Sequence, residues 1–560
     1  MGAPSDPLES LTHAPQRNPY VRNWSSTYNT RPSLLFCPVS TAEVQLILKE
    51  ATARGKKVRV VGEHASPGPI WHGEWLISTR HFTLVHLSPP TRTARLGAGV
   101  TLRKLNPFLA SHGLAFPNQG SISDVSIGAY FSGPDHGSSA YGGICPTFAR
   151  AARIVLPTGE VVETRRGEDL FRAVGTGVGA VGVVVEVEWE LEEAFGVEVT
   201  MERIRLKDYL EDDSGRALWE LARSREYVKI WHFPHSFPAP FNQTDTILWR
   251  GRRTALPPPQ SPSLLSTLKA YLIRIIHAAT MLVTLYLFPG LQGWVNGILF
   301  WLQGGLLPKT QEMRSYEAFE MDCMYNQLVN EWTVPLPSPS TFRPSPSASH
   351  STSPAIHLLR SLLSSIHPST PRGRALGMHA PVEIRFNRTE KRGEEFFLSP
   401  GASVEMGTRG EGEGLKEDLV MWVEPIVYRP LNLPTPPRFL PFFQHFEALF
   451  RAPGMQGRPH WCKAHFPSSV AEVERMFTSP KEGGETNLET FHRVRLQADP
   501  EGTMWSQWLE ERVPTPLSVR TGGGKGEKEG EGKKSGTAHG ESEREAKRSG
   551  RWEDVMGSSK

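Results

Sequence analysis

VRVVGEHASPGPI, residues 58–70, and NQGSISDVSIGAYFSGPDHGSS, residues 118–139, decide how this chain is read. The first is a β-branched run that enters a loop where glycine lets the backbone turn and approach a neighbour closely. The second is rich in glycine and serine, and the helix-like TLRKLNPFLASHG, residues 101–113, lies between them. Upstream, Ser40 and Glu43 form a capping box, Val44, Ile47, Leu48 and Ala51 mark one helical face, and Gly55 ends that helix before a strand over 57–61. Downstream, Val185, Val187, Trp189 and Leu191 alternate with Glu186, Glu188, Glu190 and Glu192, which predicts a strand over 183–192 with one buried and one wet face. The alternation of helical and strand patterns predicts a compact unit over 31–195, preceded by an arm over 1–30.

A chain of 560 residues is too long for one core, so a second domain is expected over 196–513, where strands mix with apolar helices. Pro/Ser-rich insertions near 255–263 and 335–354 read as surface loops. After 513 the chain turns to Gly, Lys, Glu and Ser, which cannot repay the entropy of ordering, and 514–560 is predicted to be a disordered tail. The formal net charge is +3, so nothing in the balance calls for a nucleic-acid partner.

Cys37, Cys145, Cys323 and Cys462 lack the spacing of a metal or haem site, which predicts no metal and free thiols in a reducing, intracellular compartment. The first sixteen residues read as neither a secretory signal nor a good transit peptide. Residues 275–307 carry no Asp, Glu, Lys or Arg, a length that suffices to cross a bilayer. Pro289 and Gly290 cut the stretch, so two short helices are expected, packed on the protein or lying in a membrane interface.

The two opening stretches together resemble the FAD-contacting loops of the vanillyl-alcohol-oxidase-type flavoproteins. FEMDCMYNQLVNEWTVP (319–335), HAPVEIRF (379–386), VMWVEPIVYRP (420–430), GRPHWCKAHFP (457–467) and FHRVRLQADPEGTMWSQWLEE (491–511) follow in the order found in aldonolactone oxidases. Residues 23–511 thus resemble the family of D-arabinono-1,4-lactone and L-gulonolactone oxidases. The resemblance implies an α+β fold: a two-subdomain FAD-binding domain of the vanillyl-alcohol-oxidase (PCMH) type, then a mixed sheet-and-helix substrate domain. It implies FAD contacts from Val61, Gly62, Glu63, His64, Ala65, Ser66 and Pro67 in the first loop. In the second it implies contacts from Gly120, Ser121, Ser123, Ile127, Gly128, Ser132, His136 and Gly137, with a further one from Val183. A pyrophosphate needs backbone N–H groups from tight loops, which Gly62 and Gly137 suit. No GxGxxG leads into a helix, which disfavours a Rossmann-type site.

Two departures from the family pattern stand out. Where the family has Val-Val-Gly-x-Gly-His-Ser-Pro, this chain has Val60-Val61-Gly62-Glu63-His64-Ala65-Ser66-Pro67. The histidine that carries FAD covalently in many relatives therefore falls on Ala65, and tight non-covalent FAD is expected, with attachment through a shifted His64 the minority reading. In Gly133-Pro134-Asp135-His136-Gly137 the usual Thr-x-Thr-His-Gly is replaced, and proline removes an N–H donor. His136 reads equally as a flavin contact and as a packed loop histidine, and Asp135 sets a carboxylate near a diphosphate unless it turns away.

Alternation in Val382-Glu383-Ile384-Arg385-Phe386 puts Glu383 and Arg385 on one strand face, about 7 Å apart at Cα. Taken alone such a pair reads as a solvated ion pair. The resemblance reverses that, because this strand carries the catalytic Glu/Arg pair of the lactone oxidases. It implies that Glu383 accepts the hydroxyl hydrogen bond or proton, that Arg385 stabilises negative charge, and that Lys463 and His460 of His460-Trp461-Cys462-Lys463 reach the substrate. Ser121 reads either as a substrate or flavin contact or as a turn serine. Gly120 stands where a relative that excludes oxygen carries a bulkier residue.

The resemblance implies oxidation of D-arabinono-1,4-lactone by O₂ at C2, toward erythroascorbate and hydrogen peroxide, at a mitochondrial or other intracellular membrane. Two readings stay open beside it: a related polyol or lactone enzyme with another electron acceptor, and a family member that has lost catalysis.

Overall fold

The computed structural model describes residues 6–63, 66–258, 264–306, 310–321, 326–339, 352–379, 381–390, 393–402, 418–463, 466–477 and 485–520. The predicted first helix is Thr41–Ala53, with Ser40 Oγ accepting from the Glu43 backbone N–H at 3.2 Å and Val44, Ile47, Leu48 and Ala51 buried. It packs by a sheet ordered Gln16–Arg17, Leu34–Phe36, Trp75–Ser78, Val58–Val61, whose last three strands are parallel. The second sheet is antiparallel, in the order Val161–Arg165, Ala149–Val155, Val183–Glu190, Thr93–Gly97, Val85–Ser88. The strand read over 183–192 stops at Glu190, because Leu191 donates its N–H to Arg92 and Glu192–Glu193 pairs instead with Leu114–Ala115.

The strands of the rest of the chain build one antiparallel sheet. Its order is Thr310–Arg314, Gly196–Ile204, Thr246–Thr254, Tyr227–His232, Val382–Arg388, Leu419–Tyr428, Trp332–Leu336 and Arg458–Pro459, with Gln327–Val329 also on Leu419–Tyr428. Tyr227–His232 is buried along its whole length, as a strand covered on both faces must be. The helices Pro354–Ile366 and Phe439–Arg451 pack by the Trp332–Leu336 strand. Ser138 donates to Val228 O and accepts from Phe386 N at 3.1 Å, which seats the glycine-rich loop against the two central strands. One apolar core runs from Leu96, Ile127 and Phe131 across to Trp332, Ile384 and Trp422.

Arg59 braces the first loop. Its guanidinium is buried and donates to Ile70 O at 2.8 Å, Gly179 O at 2.9 Å, Met504 O at 3.0 Å and Val178 O.

Two sequence readings need correction. The charge-free stretch does form two helices broken at Pro289, but the first, Leu264–Tyr286, is 23 residues long because Lys269 and Arg274 do not interrupt it. Among the described residues no helix is long and apolar enough to cross a membrane. The ordered chain also passes 513: Pro514, Thr515 and Pro516 are buried and Leu517–Arg520 is helical, while 521–560 lie outside the described residues. So do residues 259–263 and 340–351 of the Pro/Ser-rich insertions, and Cys323. Cys145 is a buried free thiol, and Cys37 and Cys462 are half-buried ones.

Candidate active site

Glu383 and Arg385 share a face of the Val382–Arg388 strand, as their alternation requires, but that face is dry: they are 5% and 7% exposed. Arg385 Nη2 donates to Glu383 Oε2 at 2.6 Å and to Ser121 Oγ at 2.7 Å, joining the substrate sheet to the second loop. The cross-strand neighbour Trp231 donates its indole N–H to Glu383 Oε1 at 3.0 Å. Burial pushes the Glu383 carboxyl up, but Arg385 beside it outweighs that and holds it below the ordinary carboxylate value.

A second charged group stands beside the first. Lys463 Nζ lies 2.6 Å from Glu331 Oε2 and 2.7 Å from Glu424 Oε1, and Glu424 is the register partner of Glu383 on the next strand. Burial raises Glu331, yet Lys463, His136 and His460 together hold it well below the usual range. Glu424 goes the other way, to about 7, because burial and the neighbouring Glu331 and Glu383 outweigh Lys463. His136 is stacked on Trp422 at 3.7 Å between ring centroids, its Nε2 is 3.2 Å from Glu331 Oε2, and burial keeps it neutral below its ordinary value. Asp135 turns toward this cluster, with Lys463 as its main attractive partner, and enclosure pushes its carboxyl up to about 7. His136, Glu331 and His460 offer donor atoms within 4.8 Å of one another, but the Lys463 ammonium already sits on the carboxylate oxygen that they share.

These groups open on one cavity of about 580 Å³. Gly62, Ser66, Pro67, Gly120, Ser121, Gly128, Ser132 and His136 line it, together with Glu383, Arg385, His460 and Lys463. Val61, Ser123, Ile127, Gly137 and Val183 are buried behind the wall, and Glu63 faces outward. His64 and Ala65, on which the attachment question turns, lie outside the described residues.

Sequence reasoning missed Glu331, Glu424, Trp231 and Lys229. Glu331 and Glu424 stand inside motifs that were quoted, and a lone carboxylate in the apolar run VMWVEPIVY was a usable signal. Lys229, fully buried across from Arg385, had none.

Residues 187–512 match the family model described as D-arabinono-1,4-lactone oxidase, and residues 32–165 match the one described as FAD binding domain. The D-arabinono-1,4-lactone oxidase of Eremothecium gossypii is 26% identical over 86% of this chain and 93% of its own length. The L-gulonolactone oxidase of Mus musculus is 26% identical over 87% and 97%. Among solved structures, cholesterol oxidase from B. sterolicum superposes with a TM-score of 0.65 at 15% identity, over 92% of this chain and 99% of that one, which speaks for the fold alone.

The cavity fits FAD. Gly62, Gly120, Gly128, Gly133, Gly179 and Gly182 line it, so that backbone can come close to a ligand, and a Cβ on Gly62 would stand 1.9 Å from Ser126 Oγ. Arg385 Nε, in the same wall, is buried with no hydrogen-bond partner among the described residues. With one family model spanning more than half its length and an FAD-binding model preceding it, this chain belongs to the D-arabinono-1,4-lactone oxidase family and is an FAD-dependent sugar-lactone oxidoreductase.

Proposed function

We propose that the protein oxidises the C2 hydroxyl of an aldono-1,4-lactone, D-arabinono-1,4-lactone being the first substrate to test, with O₂ as acceptor and hydrogen peroxide as by-product. The supporting observation is the convergence of Glu383, Arg385 and Lys463 on the cavity that fits FAD. FAD supplies the acceptor for the carbon-bound hydrogen and its two electrons. Arg385, fixed by Glu383 and Ser121, presents a permanent cation to the substrate oxygen as negative charge develops there. Lys463 adds a second cation, an ammonium kept charged because Glu331 and Glu424 flank it. Trp231 fixes the Glu383 carboxylate so that it does not rotate away. Gly120 leaves space: a Cβ there would meet only His136 O, at 3.4 Å, which favours oxygen access. The assembled charged groups speak against a family member that has lost catalysis.

Anaerobic mixing with a panel of aldonolactones tests this reading, the expected result being bleaching of the flavin band by D-arabinono-1,4-lactone and its recovery on admitting air. Recovery only with a dye would assign another acceptor. FAD is proposed to be non-covalent, and acid precipitation should release it to the supernatant.

The protein is further proposed to sit on an intracellular membrane, the mitochondrial one being the first to examine. In the helices Leu264–Tyr286 and Gln292–Leu306, His277, Thr284, Gln292 and Asn296 are buried, Gln292 and Asn296 being hydrogen-bonded. Leu268, Leu272, Ile275, Ile276, Leu287 and Phe288 face outward, each more than half exposed. An outward apolar face on helices whose only charged residues over 264–306 are the basic Lys269 and Arg274 suits the plane of a bilayer interface. Flotation with lipid vesicles should carry the protein up, and the double variant Leu272→Glu, Ile276→Glu should stay at the bottom.

A further inference from the structure

We infer that Glu424, rather than Glu383, takes the hydroxyl proton of the substrate. The inference rests on the lactone-alcohol reading above and sharpens it. Glu383 is the more committed carboxylate: Trp231 donates to Oε1 at 3.0 Å and Arg385 to Oε2 at 2.6 Å, so it can still accept a hydrogen bond from a hydroxyl, but taking the proton would break a buried charge-assisted pair. Glu331 is held by Lys463 and His136 and does not reach the cavity wall. Glu424 does line the cavity, is 4% exposed, and uses only Oε1, toward Lys463 at 2.7 Å. Its Oε2 accepts no hydrogen bond among the described residues. As direct cross-strand partners, Glu383 and Glu424 carry Cβ atoms about 5 Å apart, so a hydroxyl held by Glu383 and Arg385 is within reach of Glu424 Oε2.

The step balances. The O–H bond breaks toward Glu424 Oε2, which becomes a neutral carboxylic acid. The electrons of that bond form the carbonyl as the C–H bond breaks, and the carbon-bound hydrogen leaves with its electron pair for the flavin. Lys463, still on Oε1, keeps the carboxylate available beforehand and donates to the acid afterwards.

The charged groups acting on Glu424 are Glu383 and Arg385 from the neighbouring strand, Lys463 from the loop after Arg458–Pro459, and Glu331, while Asp135, His136 and His460 gather round the same Lys463–Glu331 pair. Burial, helped by Glu331 and Glu383 and opposed by Lys463 and Arg385, pushes Glu424 up to about 7, which matches a base working near neutrality, whereas a carboxylate held low accepts protons poorly. Asp135 also lines the cavity and is raised to about 7, which makes it the competing carboxyl that the test must separate from Glu424.

The test is the pH profile of anaerobic flavin reduction in the FAD-loaded protein, paired with difference infrared spectra of the protonated-carboxyl stretch taken without substrate. Wild type should show a rate that rises with pH and levels off above about 7, and a carboxyl band that disappears over the same range. Glu424→Gln should lower the rate about 10²-fold or more, flatten that limb and remove the component of the band that titrates with it, leaving those of Asp135 and Glu390. Glu424→Asp should restore part of both and guards against a variant that merely fails to fold. A limb that survives in Glu424→Gln with the band unchanged from wild type, or a limb that vanishes instead in Asp135→Asn, overturns the inference. If no lactone bleaches the flavin, the proposed activity fails, while a wild-type-minus-Glu424→Gln difference spectrum with no carboxyl band at pH 6 overturns the Glu424 assignment without any substrate.

Discussion

Lys463 shares its ammonium with Glu331 at 2.6 Å, and the same Glu331 oxygen is 3.2 Å from His136 Nε2, so one buried carboxylate sets both the substrate lysine and the histidine of the second FAD loop. Replacing it uncovers a buried cation. Glu331→Gln should destabilise the protein on the order of 3 kcal/mol and lower kcat/KM, because Lys463 would be left to Glu424 alone. Thermal unfolding together with steady-state rates checks this; an unchanged melting temperature would show that the pair carries no such weight.

Glu383→Gln and Arg385→Ala should each reduce turnover about 10²-fold or more while flavin stays bound, since both act on the substrate oxygen and the cofactor is enclosed largely by other residues. Flavin absorbance per protein and anaerobic reduction rates separate the two effects. Near-normal turnover in either variant would remove that residue from the site.

Gly62→Ala and Gly120→Ala should behave differently although both glycines line the cavity. A methyl at 62 would stand 1.9 Å from Ser126 Oγ and should strip flavin from the purified protein, whereas one at 120 meets only His136 O at 3.4 Å and should retain it. The expected effect at 120 is slower reoxidation by O₂ with substrate-driven reduction little changed. Stopped-flow reduction and reoxidation measure both halves.

Glu390 offers a pH test away from the chemistry. Burial, only partly offset by bonds from Ser399 and the Phe396 N–H, pushes its carboxyl from 4.5 up to about 7. A raised acid favours the folded state while protonated, so its contribution is full below the unfolded value and is lost as pH rises through about 7. Glu390→Gln should therefore melt about 2 °C above wild type at pH 8, and the difference should close by pH 5. A gap that is equal at both pH values would contradict the assigned protonation.

Much of the fold is legible in the sequence because its signals are local. Ser40 and Glu43 start a helix through bonds to their own neighbours, and Pro289 stops one by what it lacks. Glu383 and Arg385 follow from a period of two, but that period is silent on whether the shared face is wet. It is dry because Trp231 and Ser121, far away in the chain, close over it. Glu331 and Glu424 were hidden for the same reason: what makes them functional is Lys463, which reaches them only once the sheet has formed.

Arg59 gives the assembly an order in time. Its guanidinium needs carbonyls at Val178, Gly179 and Met504 at once, and Val58 N–H also donates to Thr503 O at 2.9 Å. The loop that follows Val61 can form its strand early in synthesis, yet its brace is missing a side until residue 504 has left the ribosome. Flavin capture is then expected only after residue 504 is in place, and a chain truncated before it should purify without flavin colour however completely it holds the first domain.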